Sequence, residues 1–516
     1  MKISNQHALA GLLLMWALIF GAYVRILPVL QAGFPLNDGG LFYTMTADLQ
    51  RSGYALPATS SYNRLGIPFA YPPLPFYLTG LVQSISGLPL SEIIRWLPVL
   101  FSLLTLPAFY LLARALLNDP LTASLATVIF AMLPRSYEWI IMGGGVTRAP
   151  ATLFLILMSW GAYRLFSTGG WKFGLVTAIS GALIVLTHPE RTLHAAVTAV
   201  VLWAFFGRTW TGLRRGLFVA AGVLLLSAPW WLVVLSRAGW APFQAALQAG
   251  SQRGLFWLPL LTLNFTDEPI PLAAVLAVFG FIACLLQKKP FLPVWLVLAF
   301  LTDPRSAPHV VPLQVSLLAA LGLVEVVFPA LARLVEQDAL PVSINAFLSA
   351  GKGRWVLGYI LLVLLVGAIL NTQTLRSYVL SREDRSALAW VAAQTSPESR
   401  FLSLTWQENA MLSPLLEWFP ALSGRTNIST VQGREWLAGS QHYTARMEAF
   451  PDLQACLYQD ETCLERWAAT YSEPFDHVYI SLGSNPRLSA LALALRQSTH
   501  YQLVYETPSV LIFARR

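Results

Sequence analysis

Residues 8–27 read ALAGLLLMWALIFGAYVRIL, an apolar run long enough to cross a lipid bilayer as a single helix. A helix rises about 1.5 Å per residue, so about 20 apolar residues span a hydrocarbon core of about 30 Å. No small-residue cleavage site follows the run. We therefore interpret it as an uncleaved first membrane helix and not as a signal peptide.

The composition extends this interpretation to most of the chain. Of 516 residues, 56% are hydrophobic and 12% are charged, whereas soluble domains carry about 45–50% apolar and about 25% charged residues. The net charge of +8 does not indicate nucleic-acid binding, because many of the basic residues lie in short turns between apolar runs, as the positive-inside rule describes.

The apolar runs predict a polytopic α-helical membrane protein with about eleven transmembrane helices. We place these helices at about 8–27, 93–117, 120–137, 147–166, 172–187, 191–206, 216–235, 270–286, 290–302, 309–330 and 355–371.

The turns between these helices fall into two alternating sets. One set is rich in Lys and Arg, for example Lys2, Lys172, Lys288 and Lys352, and is expected in the cytoplasm. The other set holds most of the acidic turns and no Lys. An odd number of helices then puts the N-terminus in the cytoplasm and the tail outside. We predict a membrane domain at 1–371, with a long first outer loop at 28–92, and a soluble extracytoplasmic α/β domain at 372–516.

The tail is polar enough to fold in water. His477 to Ser481 reads as a buried strand, and Tyr501 to Tyr505 with Val510 to Ala514 reads as a terminal hairpin. Segments 382–395 and 487–497 look helical. Cys456 and Cys463 are predicted to form a disulfide if the outer compartment is oxidising.

The first outer loop contains the sharpest candidate for chemistry, Asp38. It follows the first helix closely, and the glycines at 39 and 40 would let the backbone approach a ligand. A carboxylate here can act as a general base on an acceptor hydroxyl, or can ligate a divalent cation such as Mg²⁺ or Mn²⁺. An Asp-Gly turn in a solvated loop is the alternative. The same loop contains an apolar stretch at 74–86, which we predict to lie in the membrane interface as a helix.

A glycine run at 143–145 precedes another helix, with Arg148 in its first turn. Successive backbone N–H groups at a helix N-terminus bind anions, and arginine adds further donors. A nearby anion would explain an arginine at a helix end whose dipole disfavours it. A flexible connector is the alternative. Glu138 lies just upstream and is a candidate for an acceptor or metal site.

Two other outer turns are rich in charge and flanked by helices too short to span the core. They are therefore expected to be recessed and to face protein or a water-filled cavity. The functional interpretation is a phosphate-binding wall of arginine and histidine, and local ion pairs are the structural alternative. The residues of these turns are His188, Glu190, Arg191 and His194 in one, and Asp303, Arg305 and His309 in the other.

Short motifs follow one order along the whole chain. They are Arg25 followed by Asp38, the segment YPPLPFY at 71–77, Gly144-Gly145 with Arg148, Thr187-His188-Pro189, Asp303-Pro304-Arg305 and the terminal hairpin. In this order they resemble the GT-C superfamily of polyprenyl-phosphate-sugar-dependent glycosyltransferases, and they look most like the branch with protein O-mannosyltransferases and aminoarabinose transferases.

The resemblance implies an inverting glycosyl transfer on the outer membrane face, with Asp38 as the catalytic carboxylate. It implies a polyprenyl-phosphate sugar as donor and a glycan, lipid or protein as acceptor. We assign Arg148, His188, Arg191 and Arg305 to the donor phosphate. Glu138, Glu190 and Asp303 are assigned to a possible acceptor or metal site.

Two departures from the family pattern bear on this assignment. Many relatives carry an acidic pair where this chain has Asn37-Asp38, and no DxD follows the third helix, which leaves metal dependence open. No WWD-type motif appears in the tail, which argues against transfer of whole oligosaccharides to asparagine. A transporter or flippase of lipid-linked sugars, and a non-catalytic membrane scaffold, remain as alternatives.

Overall fold

The computed structural model describes residues 5–250, 263, 265–335, 347–348, 351–407, 409–437, 441–483 and 489–516. Fifteen α-helices lie among the described residues of the first three quarters of the chain. They are α1 Asn5–Ala32, α2 Gly40–Arg51, α3 Leu74–Ser86, α4 Leu90–Leu117, α5 Pro120–Met132, α6 Gly145–Ser167, α7 Trp171–Val185, α8 Pro189–Phe206, α9 Trp210–Ala238, α10 Ala241–Gly250, α11 Leu272–Leu286, α12 Phe291–Thr302, α13 Pro312–Leu321, α14 Phe328–Val335 and α15 Gly351–Leu375. A π-helical turn, Gly322–Val327, joins α13 to α14.

Six helical stretches within the described residues are long and apolar enough to cross a membrane: His7–Ala32, Leu90–Leu117, Gly145–Ser167, Trp210–Ala238, Pro312–Leu334 and Gly351–Leu375. Four shorter apolar helices, α5, α7, α11 and α12, pack among them. The chain is thus a polytopic helical membrane protein. A helix occurs at each of the eleven predicted positions, while the number that span the bilayer stays a prediction.

Several predicted boundaries were wrong; for example, α1 continues to Ala32 and α9 begins at Trp210. The helix predicted at 120–137 ends at Met132, and Leu133 is extended. Pro134 follows, and a proline disfavours helical geometry in the residue before it. Residues 134–144 therefore form a 3₁₀ turn and irregular turns that lead into α6, and this segment carries Glu138, Gly143 and Gly144.

The C-terminal region adds helices α16 Arg382–Gln394, α17 Pro414–Ser423, α18 Gln441–Ala455, α19 Glu461–Tyr471 and α20 Ala490–Gln497. It also adds strands β3 Arg400–Leu404, β4 Thr426–Asn427, β5 His477–Ser481, β6 Tyr501–Glu506 and β7 Val510–Arg515, after the short β1 Thr59–Ser60 and β2 Ile67–Pro68. The five strands form one sheet in the order β4-β3-β5-β7-β6. The pairs β4–β3 and β3–β5 are parallel, whereas β5–β7 and β7–β6 are antiparallel.

Successive side chains of a strand point to opposite faces of the sheet. Both faces of this sheet carry apolar side chains. Val478 and Ile480 pack on one face in a core formed with α18, α19 and α20. Tyr479 and Ile512 pack on the other face, in a core that also contains Ile94 of α4 and residues of α16 and α17. This second core joins the C-terminal region to the N-terminal ends of α4 and α6. The predicted strands and helices of the tail are confirmed, and Cys456 and Cys463 are joined by a disulfide.

Candidate active site

Asp38 lies between two helix starts. Its Oδ1 accepts a hydrogen bond from the backbone N–H of Gly144 at 2.8 Å, just before α6, and its Oδ2 is paired with the guanidinium of Arg148. A carboxylate at a helix N-terminus is favoured by the helix dipole. The anion that explains an arginine in the first turn of α6 is therefore Asp38 itself.

The predicted role of the glycines after Asp38 needs a correction. Gly40 begins α2, a helix that the sequence pattern did not reveal, and a Cβ on Gly40 would collide with the carbonyl oxygen of Glu417. A Cβ on Gly144 would collide with the carboxylate of Asp38. These glycines admit neighbouring protein segments, and we find no evidence that they admit a ligand.

The Asp38 side chain is 19% exposed and that of Arg148 is 17% exposed, so the pair can be approached from outside. The indole of Trp139 lies 5.3 Å from Cζ of Arg148 and its ring is 5.7 Å from the ring of His309. The ion pair is thus connected to the recessed turn that carries Asp303, Arg305 and His309.

The two turns predicted to be recessed come together, through hydrogen-bonding contacts of Arg191 with His309 and of His194 with Ser306. His188 and Arg191 are buried, and His188 is close enough to Arg148, Arg191 and Arg305 for their charges to interact. The phenol of Tyr71 lies 3.2 Å from the hydroxyl of Thr147, and its ring contacts that of His188 edge-on at 6.3 Å. The YPP segment thereby links α6 to the turn before α8.

Arg191 has few partners for a buried cation. It is 2% exposed, and its Nη2 donates to the carbonyl of His309 at 3.2 Å. Its Nε and Nη1 are buried with no acceptor among the residues that the structure describes. Nε of Arg148 is also buried with no acceptor among the described residues. Buried donors without partners are costly, so such groups commonly mark a ligand site.

The local ion pairs weighed as an alternative do not form among the described residues. Glu190 and Arg191 are adjacent without a salt bridge. Asp303 instead accepts from the hydroxyl of Ser306 at 2.6 Å, and Ser306 lies 2.8 Å from Nε2 of His194. The charges of Glu190, Glu435, Asp303 and the phenol of Tyr443 act on Arg305.

Glu138 belongs to a different group. It pairs with Arg135 at 3.5 Å and accepts from Nδ2 of Asn371 at 3.2 Å, and Arg135 also pairs with Asp267 at 2.6 Å. These residues line a cavity of about 690 Å³ that also reaches Trp139. Within the described chain, Glu138 makes no hydrogen bond or ion pair with Asp38.

The residues around Asp38 do not fit a divalent cation. Both carboxylate oxygens are taken by Gly144 and Arg148, and the described residues hold no group of three or more His, Cys, Asp or Glu placed to bind a metal ion. A hard cation binds through carboxylate oxygens, so it would have to displace the guanidinium of Arg148 to reach Oδ2 of Asp38.

Two residues at this site were not predicted from the sequence. Glu417 of α17 accepts from the backbone N–H groups of Gly39 at 3.3 Å and Leu41 at 3.0 Å, and Trp418 donates its indole N–H to the carbonyl of Asn37 at 3.0 Å. The signal that could have found Glu417 is a single acid inside the apolar run PLLEWF, since an acid is rarely buried without a task.

Three solved glycosyltransferases, AglB, ArnT and AftD, share this architecture. The chain superposes on the archaeal oligosaccharyltransferase AglB from Archaeoglobus fulgidus, solved with an inhibitory peptide and a dolichol-phosphate, with a TM-score of 0.58 and 13% identity over 98% of this chain and 74% of that one. It superposes on ArnT from Cupriavidus metallidurans, bound to undecaprenyl phosphate, with a TM-score of 0.55 and 14% identity over 98% and 97%. The fold is that of the GT-C glycosyltransferases.

A third GT-C structure, the arabinofuranosyltransferase AftD from Mycobacteria, matches with a TM-score of 0.56 and 16% identity over 96% of this chain and 40% of that one. AglB has also been solved in complex with Zn and sulfate, and that structure matches with a TM-score of 0.52 and 13% identity over 98% of this chain and 73% of that one. No protein-family profile and no curated protein sequence matches the chain. At these identities the likeness establishes the GT-C fold, as the order of motifs predicted, and leaves the activity to be argued from the site.

Proposed function

We propose that the protein is a glycosyltransferase that moves a sugar from a polyprenyl-phosphate donor to an acceptor hydroxyl. The observation that carries this proposal is a partly exposed carboxylate, Asp38, beside a cationic wall. This wall consists of Arg148, His188, Arg191 and Arg305, and Arg148 and Arg191 have buried donors without acceptors among the described residues. A GT-C fold whose structural neighbours bind dolichol-phosphate and undecaprenyl phosphate supports the same donor class.

The cationic wall favours a phosphate over a neutral ligand. Arg191 contributes two buried N–H groups without acceptors, and Arg148 contributes one. Arginine presents its donors in a planar fork that matches phosphate oxygens. A phosphate bound here would satisfy these donors and compensate the buried charge of Arg191. We assign the donor phosphate to Arg148, His188, Arg191 and Arg305 on this basis.

The proposed reaction is a single displacement with inversion. The acceptor oxygen forms a bond to the anomeric carbon while the bond from that carbon to the phosphate oxygen breaks. The acceptor proton passes to the carboxylate of Asp38, and the polyprenyl phosphate leaves with the electron pair. The base has to lie within about 3 Å of the acceptor hydroxyl. Fixed cations stabilise the charge that develops on the phosphate.

The remaining acids are candidates for binding the acceptor. Glu190 and Asp303 lie close to Arg305, and Glu138 lines the 690 Å³ cavity with Asp267 and Asn371. Carboxylate and amide groups can orient the hydroxyl groups of a glycan, a lipid headgroup or a protein side chain. The acceptor class stays open among these three.

We propose that transfer takes place on the extracytoplasmic face, where the alternation of basic turns puts the first outer loop and the C-terminal region. Cysteine tags at Lys352 and at Gln441 test the sidedness of the chain. The tag at Lys352 should react only from the cytoplasm and the tag at Gln441 only from outside. A tail that is labelled from the cytoplasm would overturn this orientation.

The test of the catalytic assignment is Asp38→Asn in protein reconstituted into vesicles with undecaprenyl-phosphate sugars. The release of undecaprenyl phosphate should fall by about 10²-fold or more, because the amide keeps the shape and removes the base. Binding of undecaprenyl phosphate should largely persist. Asp48→Asn is the matched control, since Asp48 is a buried carboxylate of the same loop that bonds Ser60 and Ser61.

Three outcomes separate the alternatives. Native turnover by Asp38→Asn would make Asp38 an ordinary loop residue and end the catalytic assignment. Movement of intact lipid-linked sugar across the vesicle without bond cleavage would indicate a transporter. If the native protein neither cleaves nor moves any of the donors, the result would support the interpretation as a non-catalytic membrane scaffold.

A further inference from the structure

Helix α17, in the C-terminal region, reaches into the loop that carries Asp38. Glu417 is 4% exposed, and its Oε1 accepts the backbone N–H groups of Gly39 and Leu41 at the start of α2. The first N–H groups of a helix have no partners inside the helix. Glu417 therefore serves as a cap for α2 from a part of the chain far away in sequence.

Two further contacts hold the same loop. The indole of Trp418 donates to the carbonyl of Asn37 at 3.0 Å, and the phenol of Tyr62 donates to the carbonyl of Glu417 at 2.7 Å. The approach is so close that Gly40 has no room for a Cβ beside the backbone of Glu417. Backbone atoms on both sides of Asp38 are thus fixed to one helix.

We propose that Glu417 is a positioning residue for Asp38, so that the C-terminal region takes part in the transfer by holding the catalytic loop in register with Arg148. The proposal rests on the proposed function, because it assigns Glu417 a role in the same reaction. It predicts a defect in turnover and not in donor binding, since the donor phosphate is assigned to the cationic wall.

The charge state of Glu417 suits this role. Burial, and then the negative charge of Asp38, raise the pKa of the Glu417 carboxyl to about 8. At neutral pH the side chain is a neutral acid that accepts two N–H groups without repelling Asp38. Glu435 and Tyr62 also lie close enough to this carboxyl for electrostatic interactions. Above about pH 8 a second negative charge would appear beside the base.

The first test is kinetic. Glu417→Ala removes the acceptor for both N–H groups, and the turnover number should fall by roughly 10- to 10²-fold, because misplacing a catalytic group by about 1 Å costs that much. The donor KM should change by no more than about twofold, because uniform donor binding is kept. Glu417→Gln retains an acceptor oxygen and should restore turnover at pH 7.

A matched control lies in the same helix. Ser423 donates its hydroxyl to the carbonyl of Phe419 within α17, so Ser423→Ala perturbs the helix without touching the loop and should keep native turnover. Equal losses in Ser423→Ala and Glu417→Ala would assign the effect to α17 stability and overturn the positioning role. Turnover in Glu417→Ala at the native rate would overturn it as well.

The second test needs no enzyme activity. Hydrogen exchange of the amides at 39–41 in the full-length protein should speed up by at least about tenfold in Glu417→Ala and stay near native in Glu417→Gln, because exchange reports local opening. Unchanged exchange in Glu417→Ala would reject the positioning role whatever the activity. A native protein that transfers no sugar would reject the proposed function instead, so the two failures are distinguishable.

Discussion

Two fully buried arginines offer a test of the cationic wall, because one has hydrogen-bond partners for its guanidinium and the other leaves donors without acceptors among the described residues. Arg25 is 0% exposed and makes four hydrogen bonds: Nε to Oγ of Ser102 at 3.1 Å, Nη1 to the carbonyls of Gly21 at 3.0 Å and Ala131 at 2.8 Å, and Nη2 to Oγ of Ser136 at 3.0 Å. Arg191 is buried equally well and leaves two donors without acceptors in the described chain. We infer that Arg25 is structural and that Arg191 is functional.

Substitution by methionine, which has a similar length and no charge, should separate the two. Arg25→Met leaves several buried polar groups without the guanidinium as partner and should cost about 3–5 kcal/mol of folding stability, because each buried group left unsatisfied costs about 1–3 kcal/mol. Arg191→Met removes a buried guanidinium whose Nε and Nη1 have no acceptor among the described residues. Its folding stability without ligand should stay within about 1 kcal/mol of the native value.

Binding of the lipid phosphate should show the reverse order. Undecaprenyl phosphate at about 100 times its Kd should stabilise the native protein by about 2.7 kcal/mol. Truncating one side of a buried charged contact costs about 2–5 kcal/mol of binding free energy, which is roughly 30-fold to more than 10³-fold in Kd. Arg191→Met should therefore lose most of the stabilisation, whereas Arg25→Met should keep it at temperatures where it stays folded.

The assay is thermal unfolding in detergent with and without undecaprenyl phosphate, supported by direct binding of the labelled lipid. Arg191→Met that still binds the lipid with native affinity would remove Arg191 from the phosphate site. A loss of stability as large as that of Arg25→Met would show that Arg191 is held by partners of its own, and the inference from its unsatisfied donors would fail.

Three further predictions concern stability and the loop. Because the pKa of Glu417 is raised by burial to about 8, the folded state keeps a proton that the unfolded chain releases near pH 4.5. The free energy of unfolding should fall as pH rises from about 4.5 to about 8 and then level off, and Glu417→Gln should remove that slope from thermal-unfolding curves recorded against pH. Thiol labelling should find Cys456 and Cys463 blocked until reductant is added, and the double serine variant should unfold at a lower temperature; free thiols in the native protein would contradict the disulfide. Gly144→Ala should lower turnover because its Cβ meets the catalytic ion pair, whereas Gly358→Ala, which points into open space within a helix, should keep turnover and stabilise the protein by up to about 1 kcal/mol; equal effects would refute the collision.

The membrane helices were predictable because one physical requirement dominates them. A segment in lipid has to satisfy its backbone within itself and present apolar side chains, so runs such as 8–27 and 355–371 reveal themselves without tertiary information. The strand at 477–481 and the terminal hairpin were found for a similar reason, since β-branched and aromatic residues alternate between turn signals there. The helix end at Met132 was missed because the apolar pattern continues past the point where Pro134 stops the helix.

The site was predictable only in part. The charged turns could be identified because charges between short apolar helices stand out in the sequence, and the structure brings Arg191 and Arg305 close enough to His188 for their charges to interact. The ion pair of Asp38 with Arg148 joins the loop before α2 to α6. The cap from Glu417 to Leu41 spans 376 residues of sequence. No local pattern encodes such contacts, because they depend on how the C-terminal sheet docks on the membrane helices.

The loop of Asp38 is a link between two helix starts, each capped by a carboxylate. Asp38 caps the start of α6 through Gly144, and Glu417 caps the start of α2 through Gly39 and Leu41. The dipoles of both helices favour an anion at these positions, so local chemistry alone does not distinguish the two acids. Solvent access does: the Asp38 side chain is 19% exposed beside a guanidinium, whereas Glu417 is 4% exposed and keeps its proton at neutral pH. The proposed base has to be reachable by the acceptor hydroxyl, and of the two acids Asp38 is the more exposed. Glu417 is left to hold the loop, and the burial that disqualifies it as a base is what makes it a rigid support.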